Sequence, residues 1–141
     1  ANTENFKVYF TGANTVKSDE GEGMIGVTTT NGSTTATVDF NEALGLDTVN
    51  EKAHVILEIE NGSQDIDAES VKVTANAVDT DIFDFDAVMC DAQGNEITGE
   101  NPVESGAKTY VKVSVELKTS PTDTATATTT VTLTATPKAN V

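Results

Sequence analysis

The run TATATTTVTLTAT at positions 124–136 shows most clearly how this chain folds. Threonine occupies every even position, and most odd positions hold alanine, valine or leucine. Side chains alternate between the two faces of a β-strand, so the run predicts a long strand with a thin apolar face and a hydroxyl-rich face. Because the run is uncharged, it would promote aggregation on an open sheet edge. We therefore expect it in mid-sheet, or at an edge that serves strand exchange.

The same alternation recurs along the rest of the chain. Further strands are predicted at 5–11, 35–40, 53–60, 71–77 and 111–117, with weaker ones at 24–30 and 82–89. Asn31-Gly32 and Asn61-Gly62 supply the positive φ angles of tight hairpin turns, and only 41–46 has room for a helical turn. Short strands separated by turns predict an all-β fold. We expect an antiparallel β-sandwich of jelly-roll or immunoglobulin-like type with about 7–10 strands.

Composition limits the classes of function. A length of 141 residues fits one domain, in which residues 1–23 are a candidate N-terminal strand and linker. Eight Lys and Arg residues against 23 Asp and Glu give a formal charge of −15, which repels nucleic acid and anionic lipid. No apolar run approaches the ~20 residues that cross a bilayer. The sequence therefore predicts neither nucleic-acid binding nor membrane insertion.

The ends and the single cysteine bear on localisation. Cys90 has no partner for an internal disulfide, and we expect it to be a small buried apolar residue. The chain begins at Ala1 rather than Met, as a chain does after signal peptidase cleavage, although methionine removal or trimming gives the same start. Abundant threonine, asparagine and acidic residues with few aromatics favour a secreted, extracellular or cell-surface protein.

An acidic stretch without any basic residue lies between Lys72 and Lys108. Ca²⁺ takes carboxylate and carbonyl oxygens from loops, so this stretch suggests calcium as the one cofactor. The candidate ligands are Asp79, Asp81, Asp84 and Asp86. Their spacing lacks the glycine and the distant glutamate of an EF-hand. A solvated acidic face remains the alternative.

No arrangement of residues in the sequence resembles a catalytic centre. His54 is the only histidine and lies inside an alternating strand, so no Ser/His/Asp or Cys/His machinery can be argued from it. A zinc site would need more imidazoles or thiols. Carboxylates two residues apart, such as Asp84 and Asp86, are ordinary in so acidic a chain and do not indicate a glycosidase. The sequence predicts a protein that is not an enzyme.

The centre of the chain resembles a known family. The loop LGLDTVNE at 44–51, the strand at 53–60 and the turn NGSQDIDA at 61–68 are similar to a loop–strand–turn unit of the TasA/camelysin proteins. Those are secreted β-sandwich proteins that build extracellular biofilm fibres and surface filaments. The family often has a Pro-Gly-Asp turn before the strand, where this chain has Thr48-Val49-Asn50, and often has leucine where Ile66 stands.

The resemblance implies assembly by donor-strand complementation, in which an end of one subunit fills a groove in the next. Segment 5–11 suits this role because Phe6, Val8 and Phe10 share one face, with Tyr9 on the other, and a Gly- and acid-rich stretch follows at 12–23. We therefore expect these four residues to form the subunit interface of a homopolymer. Two alternatives stay open: the segment pairs within its own subunit, or the protein is a monomeric adhesion module for carbohydrate or protein, with or without calcium.

Overall fold

The computed structural model describes residues 5–18, 26–40, 52–77, 80–119 and 127–139. Within these ranges all regular secondary structure consists of β-strands. They are β1 (Val8–Ser18), β2 (Gly26–Thr28), β3 (Thr35–Asp39), β4 (Lys52–Asn61), β5 (Ala68–Ala77), β6 (Phe83–Cys90), β7 (Lys108–Leu117) and β8 (Thr128–Pro137). The predicted all-β class is confirmed. The helical turn considered at 41–46 lies outside the described residues.

The eight strands form two four-stranded antiparallel sheets. The first sheet has the order β1-β4-β7-β6, and the second has the order β2-β3-β8-β5. Every pairing between neighbours is antiparallel. The predicted antiparallel β-sandwich is therefore confirmed, and its strand number falls inside the predicted range. The edge strands are β1 and β6 in the first sheet and β2 and β5 in the second.

The core lies between the sheets and is built from alternate residues of each strand. In β7, for example, Val111, Val113, Val115 and Leu117 are all buried, while the residues between them are half-buried. The largest buried side chains are Phe10, Phe40 and Phe83. Burying a side chain of this kind contributes ~1.5–3 kcal/mol, so regular alternation supplies most of the driving force for this fold.

The uncharged threonine run forms β8, which lies in mid-sheet between β3 and β5. Its apolar face meets the core through Val131 and Leu133. On the same face Thr129 is buried, and its hydroxyl donates to the carbonyl of Asn76 at 2.9 Å. The central position gives the backbone partners on both sides and removes the exposed edge that an uncharged strand would otherwise present.

The first strand is longer than the sequence pattern predicts. The sequence predicts that a linker begins at residue 12, but β1 continues through Ser18 and pairs with β4. The reason is a bulge between Phe10 and Asn14, in which Gly12 adopts a φ of 94°. Glycine takes this left-handed conformation without steric cost, so the strand absorbs extra residues and resumes pairing. The remaining predicted linker residues, 19–23, lie outside the described residues.

Candidate functional site

The four residues predicted to form a donor strand lie on or just before β1, at the edge of the first sheet of their own chain. Val8 and Phe10 are 7% and 1% exposed and belong to the core. Phe6 is half-buried against the core, and Tyr9 is half-buried on the other face of the strand. In the single chain the segment therefore pairs within its own sandwich, and the predicted apolar face of β1 is the buried face.

The backbone of Phe10 joins the two sheets. Phe10 lies opposite Ile59 of β4 in the first sheet. On its other side, its N–H donates to the carbonyl of Ser33 at 2.8 Å and its carbonyl accepts the N–H of Gly32 at 3.0 Å. Gly32 and Ser33 belong to the hairpin between β2 and β3. The N-terminal strand thus closes one side of the sandwich.

A second attachment holds the start of the segment to the turn after β4. The Lys7 N–H donates to the Ser63 hydroxyl at 2.8 Å, and the Gly62 N–H donates to the Lys7 carbonyl at 3.0 Å. The Tyr9 ring lies directly over Gly62, where a Cβ would come within 2.6 Å of the ring carbon Cε2. Glycine is therefore required at position 62 because Tyr9 occupies the space of a side chain.

This arrangement corrects one sequence interpretation. Gly32 has the expected positive φ, 99°, in its hairpin turn. Gly62 is not among the residues with positive φ. The prediction that Asn61-Gly62 is a tight turn of the same kind is wrong, because this glycine serves close approach of an aromatic ring rather than left-handed backbone geometry.

The turn is fixed by Asn61, which is completely buried. Its side-chain amide donates to the carbonyls of Ile66 and Val103, each at 3.0 Å, and its side-chain oxygen accepts the Ser63 N–H at 3.0 Å. Its backbone N–H donates to the Ala107 carbonyl at 3.0 Å. One side chain therefore ties the β4–β5 turn to the loop before β7. Sequence reasoning missed this role because Val103 is 42 residues away.

The described part of the predicted calcium site does not come together. Asp81, Asp84 and Asp86 are all exposed, and Asp79 lies outside the described residues. Asp84 and Asp86 lie opposite Glu116 and Ser114 of β7. Within the ranges that the structure describes, no group of three or more His, Cys, Asp or Glu side chains has a metal-binding arrangement. This geometry fits the alternative of a solvated acidic face.

Cys90 is the buried small residue that the sequence predicts, with 0% exposure at the end of β6. Burial raises the pKa of its thiol to about 11, an effect that the nearby Lys112 charge partly opposes. The hairpin that follows covers it, since the Ile97 N–H donates to the Met89 carbonyl at 2.9 Å. The thiol is therefore protonated at neutral pH and poorly nucleophilic.

No protein-family model, curated protein or solved structure is significantly similar to this chain. The resemblance to the TasA/camelysin proteins therefore stays a sequence-based expectation. All of its first part, 44–51, lies outside the described residues. Among the described residues, no helix has the length and apolar character needed to cross a membrane.

Proposed function

We propose that this protein is a secreted, non-enzymatic structural subunit that polymerises head-to-tail into an extracellular fibre by exchanging β1 between copies. The observation that supports the proposal most is the position of Val8 and Phe10. They are core side chains, yet they are carried on an edge strand at the N-terminal end of the described chain. A strand in that position can leave its sandwich without breaking the pairing of any other two strands.

Exchange preserves contacts and changes only which copy supplies the strand. A detached β1 leaves an apolar groove beside β4, together with the unpaired carbonyl of Ser33 and N–H of Gly32. The β1 strand of another copy restores the same ladder and fills the same groove. Burial of Val8 and Phe10 contributes ~1.5–3 kcal/mol each. Each joint therefore gains several kcal/mol before the cost of association.

The connection between β1 and β2 has a suitable length. Seven residues, DEGEGMI, separate Ser18 from Gly26. A chain of this length spans at most roughly 25 Å, which is enough for β1 to enter an adjacent copy while the rest of its own sandwich stays folded. A contact of this head-to-tail kind is heterologous, so it propagates as an open chain unless a rotation closes it.

A peptide that spans residues 1–18 tests the proposal. Added in excess to the intact protein, it is expected to occupy the groove beside β4 and stop fibre growth in negative-stain electron microscopy. The matched control is the same peptide with Val8→Asp and Phe10→Asp, which keeps the length but cannot enter the core, and it should leave growth unchanged. Protein that elutes at 14.7 kDa without peptide and forms no fibres contradicts the proposal and favours a monomeric adhesion module.

A further inference from the structure

The edge of the second sheet offers a different contact, along β5. The strand order places β8 on one side of β5 and no strand on the other within the described ranges. Only the start of the strand is covered, because Ala68 and Val103 exchange two backbone hydrogen bonds of 2.8 and 3.0 Å. From Ser70 to Ala77 the outer side of β5 has no partner strand among the described residues.

The ladder identifies the backbone groups that face this open side. The Leu133 N–H donates to the Thr34 carbonyl at 2.8 Å, so Leu133 faces β3, and its neighbours in β8 face β5. The residues opposite those neighbours, such as Thr74 opposite Thr132, direct their backbone groups toward β8. The residues of β5 that direct their N–H and carbonyl groups outward are therefore Val71, Val73, Ala75 and Ala77.

The apolar face of the same stretch is incompletely covered. Val73 and Ala77 are half-buried, and Ala75 is exposed although it lies opposite the buried Val131. Across the sandwich, Phe85 of β6 is also only half-buried. Within the described residues, the β5 side of the sandwich is thus open to one more strand.

Charge restricts which strand can pair there. Copies of a chain with a net charge of −15 repel one another, so a contact between copies needs a surface without excess negative charge. The edge strand β6, which lies on the same side of the sandwich as β5, exposes Asp84 and Asp86. Between Ser70 and Ala77 the only charged residue is Lys72. Of the two edges on this side of the sandwich, β5 is therefore the one whose residues 70–77 bring no carboxylate toward a second copy.

We propose that two copies associate by antiparallel pairing of β5 with β5 about a twofold axis at Thr74. This register sets Val73 opposite Ala75 of the second copy and Val71 opposite Ala77 of the second copy. All four outward-facing residues then find hydrogen-bonding partners, and their apolar side chains cover one another. The two second sheets merge into one continuous sheet of eight strands.

The outward side chains are compatible with this register. Within residues 70–77 no like charges meet, because Lys72 faces Asn76 of the second copy. Thr74 faces its own counterpart, a cross-strand pair that stabilises sheets. The contact uses the edge opposite to β1 and does not depend on strand exchange. In a fibre it would join neighbouring chains of subunits side by side.

Cysteine cross-linking tests the register. At the axis, position 74 of one copy lies opposite position 74 of the other, as a non-hydrogen-bonded pair of the ladder. The two Cα atoms are then ~4.5 Å apart, so two Thr74→Cys chains can form a disulfide. After oxidation we expect a band at twice the 14.7 kDa monomer mass on a denaturing, non-reducing gel. Subunits joined only by exchange of β1 run as monomers on that gel. The gel therefore tests the β5–β5 contact separately from strand exchange. The matched control is Asp86→Cys on the β6 edge, which should stay monomeric.

A charge variant supplies the second readout. Thr74→Lys sets two ammonium groups opposite each other at the axis, so the dimer should disappear. The measurement is sedimentation velocity in the presence of the peptide that spans residues 1–18, which blocks strand exchange. Asp86→Lys changes the charge in the same direction on the other edge and should leave the dimer intact. The proposal is overturned if Thr74→Cys stays monomeric, if Asp86→Cys cross-links equally well, or if Thr74→Lys still dimerises.

Discussion

Replacing Phe10 with alanine is expected to destabilise the folded chain by about 3–5 kcal/mol. Phe10 is among the largest fully buried side chains, and its truncation leaves a cavity in the hydrophobic core. The measurement is the free energy of unfolding from chemical denaturation, with the slope of the transition compared to detect any change in the denatured state.

Phe6→Ala is the matched control, because it removes the same atoms from a half-buried position. Phe6 lies four residues before Phe10 and shares its predicted face. We expect it to cost less than half as much as Phe10→Ala. Since strand exchange preserves the environment of Phe10, fibres of the Phe10→Ala variant should also dissociate at lower denaturant concentration than fibres of the unaltered protein. Equal costs for the two variants would show that β1 is not seated in the core as described.

Asn61→Ala is expected to destabilise the fold by about 2–4 kcal/mol, because buried polar groups left without partners cost ~1–3 kcal/mol each. The change orphans the carbonyl of Ile66 and the N–H of Ser63, and it leaves the carbonyl of Val103 with only the Ala68 N–H as a donor. It also loosens the turn that holds Lys7 and Tyr9. Hydrogen exchange of the β1 amides should therefore accelerate more than that of the β7 amides in the same variant.

The chain supplies its own control in the second Asn-Gly-Ser sequence. Asn31 is exposed in the β2–β3 hairpin, and Asn31→Ala should change the free energy of unfolding by no more than about 0.5 kcal/mol, as is usual for surface substitutions. If the two variants lose similar amounts of stability, the hydrogen bonds of Asn61 do not hold the turn.

Strand positions could be predicted because alternation is a local property of the sequence. The pattern at 53–60 became β4, Lys52–Asn61, and the pattern at 111–117 became β7, Lys108–Leu117. The threonine run likewise became β8. Its lack of charge left two expected places, mid-sheet or an exchanging edge, and the structure shows the first. The choice of β3 and β5 as its partners depends on residues distant in sequence, which no local pattern encodes.

The candidate site was predictable only in part. The buried face of β1 followed from alternation, whereas Gly62 and Asn61 act through contacts with Tyr9 and Val103 that lie far away in sequence. The extension of β1 past Gly12 depends on a bulge, which alternation does not reveal. Asp84 and Asp86 are close in sequence and both exposed, but among the described residues they do not belong to a group of three or more side chains with a metal-binding arrangement, and only the fold reveals this.

The central claim is that β1 of one copy seats on β4 of another. Tyr9 and Glu60 lie opposite each other across these strands, so a chain with Tyr9→Cys can bond to a chain with Glu60→Cys only when the strand is exchanged. The two variants are mixed, assembled and oxidised, and the products are separated on a denaturing, non-reducing gel. We predict a disulfide-linked heterodimer that neither variant gives alone. A mixture that forms fibres but stays monomeric on the gel would contradict exchange of β1.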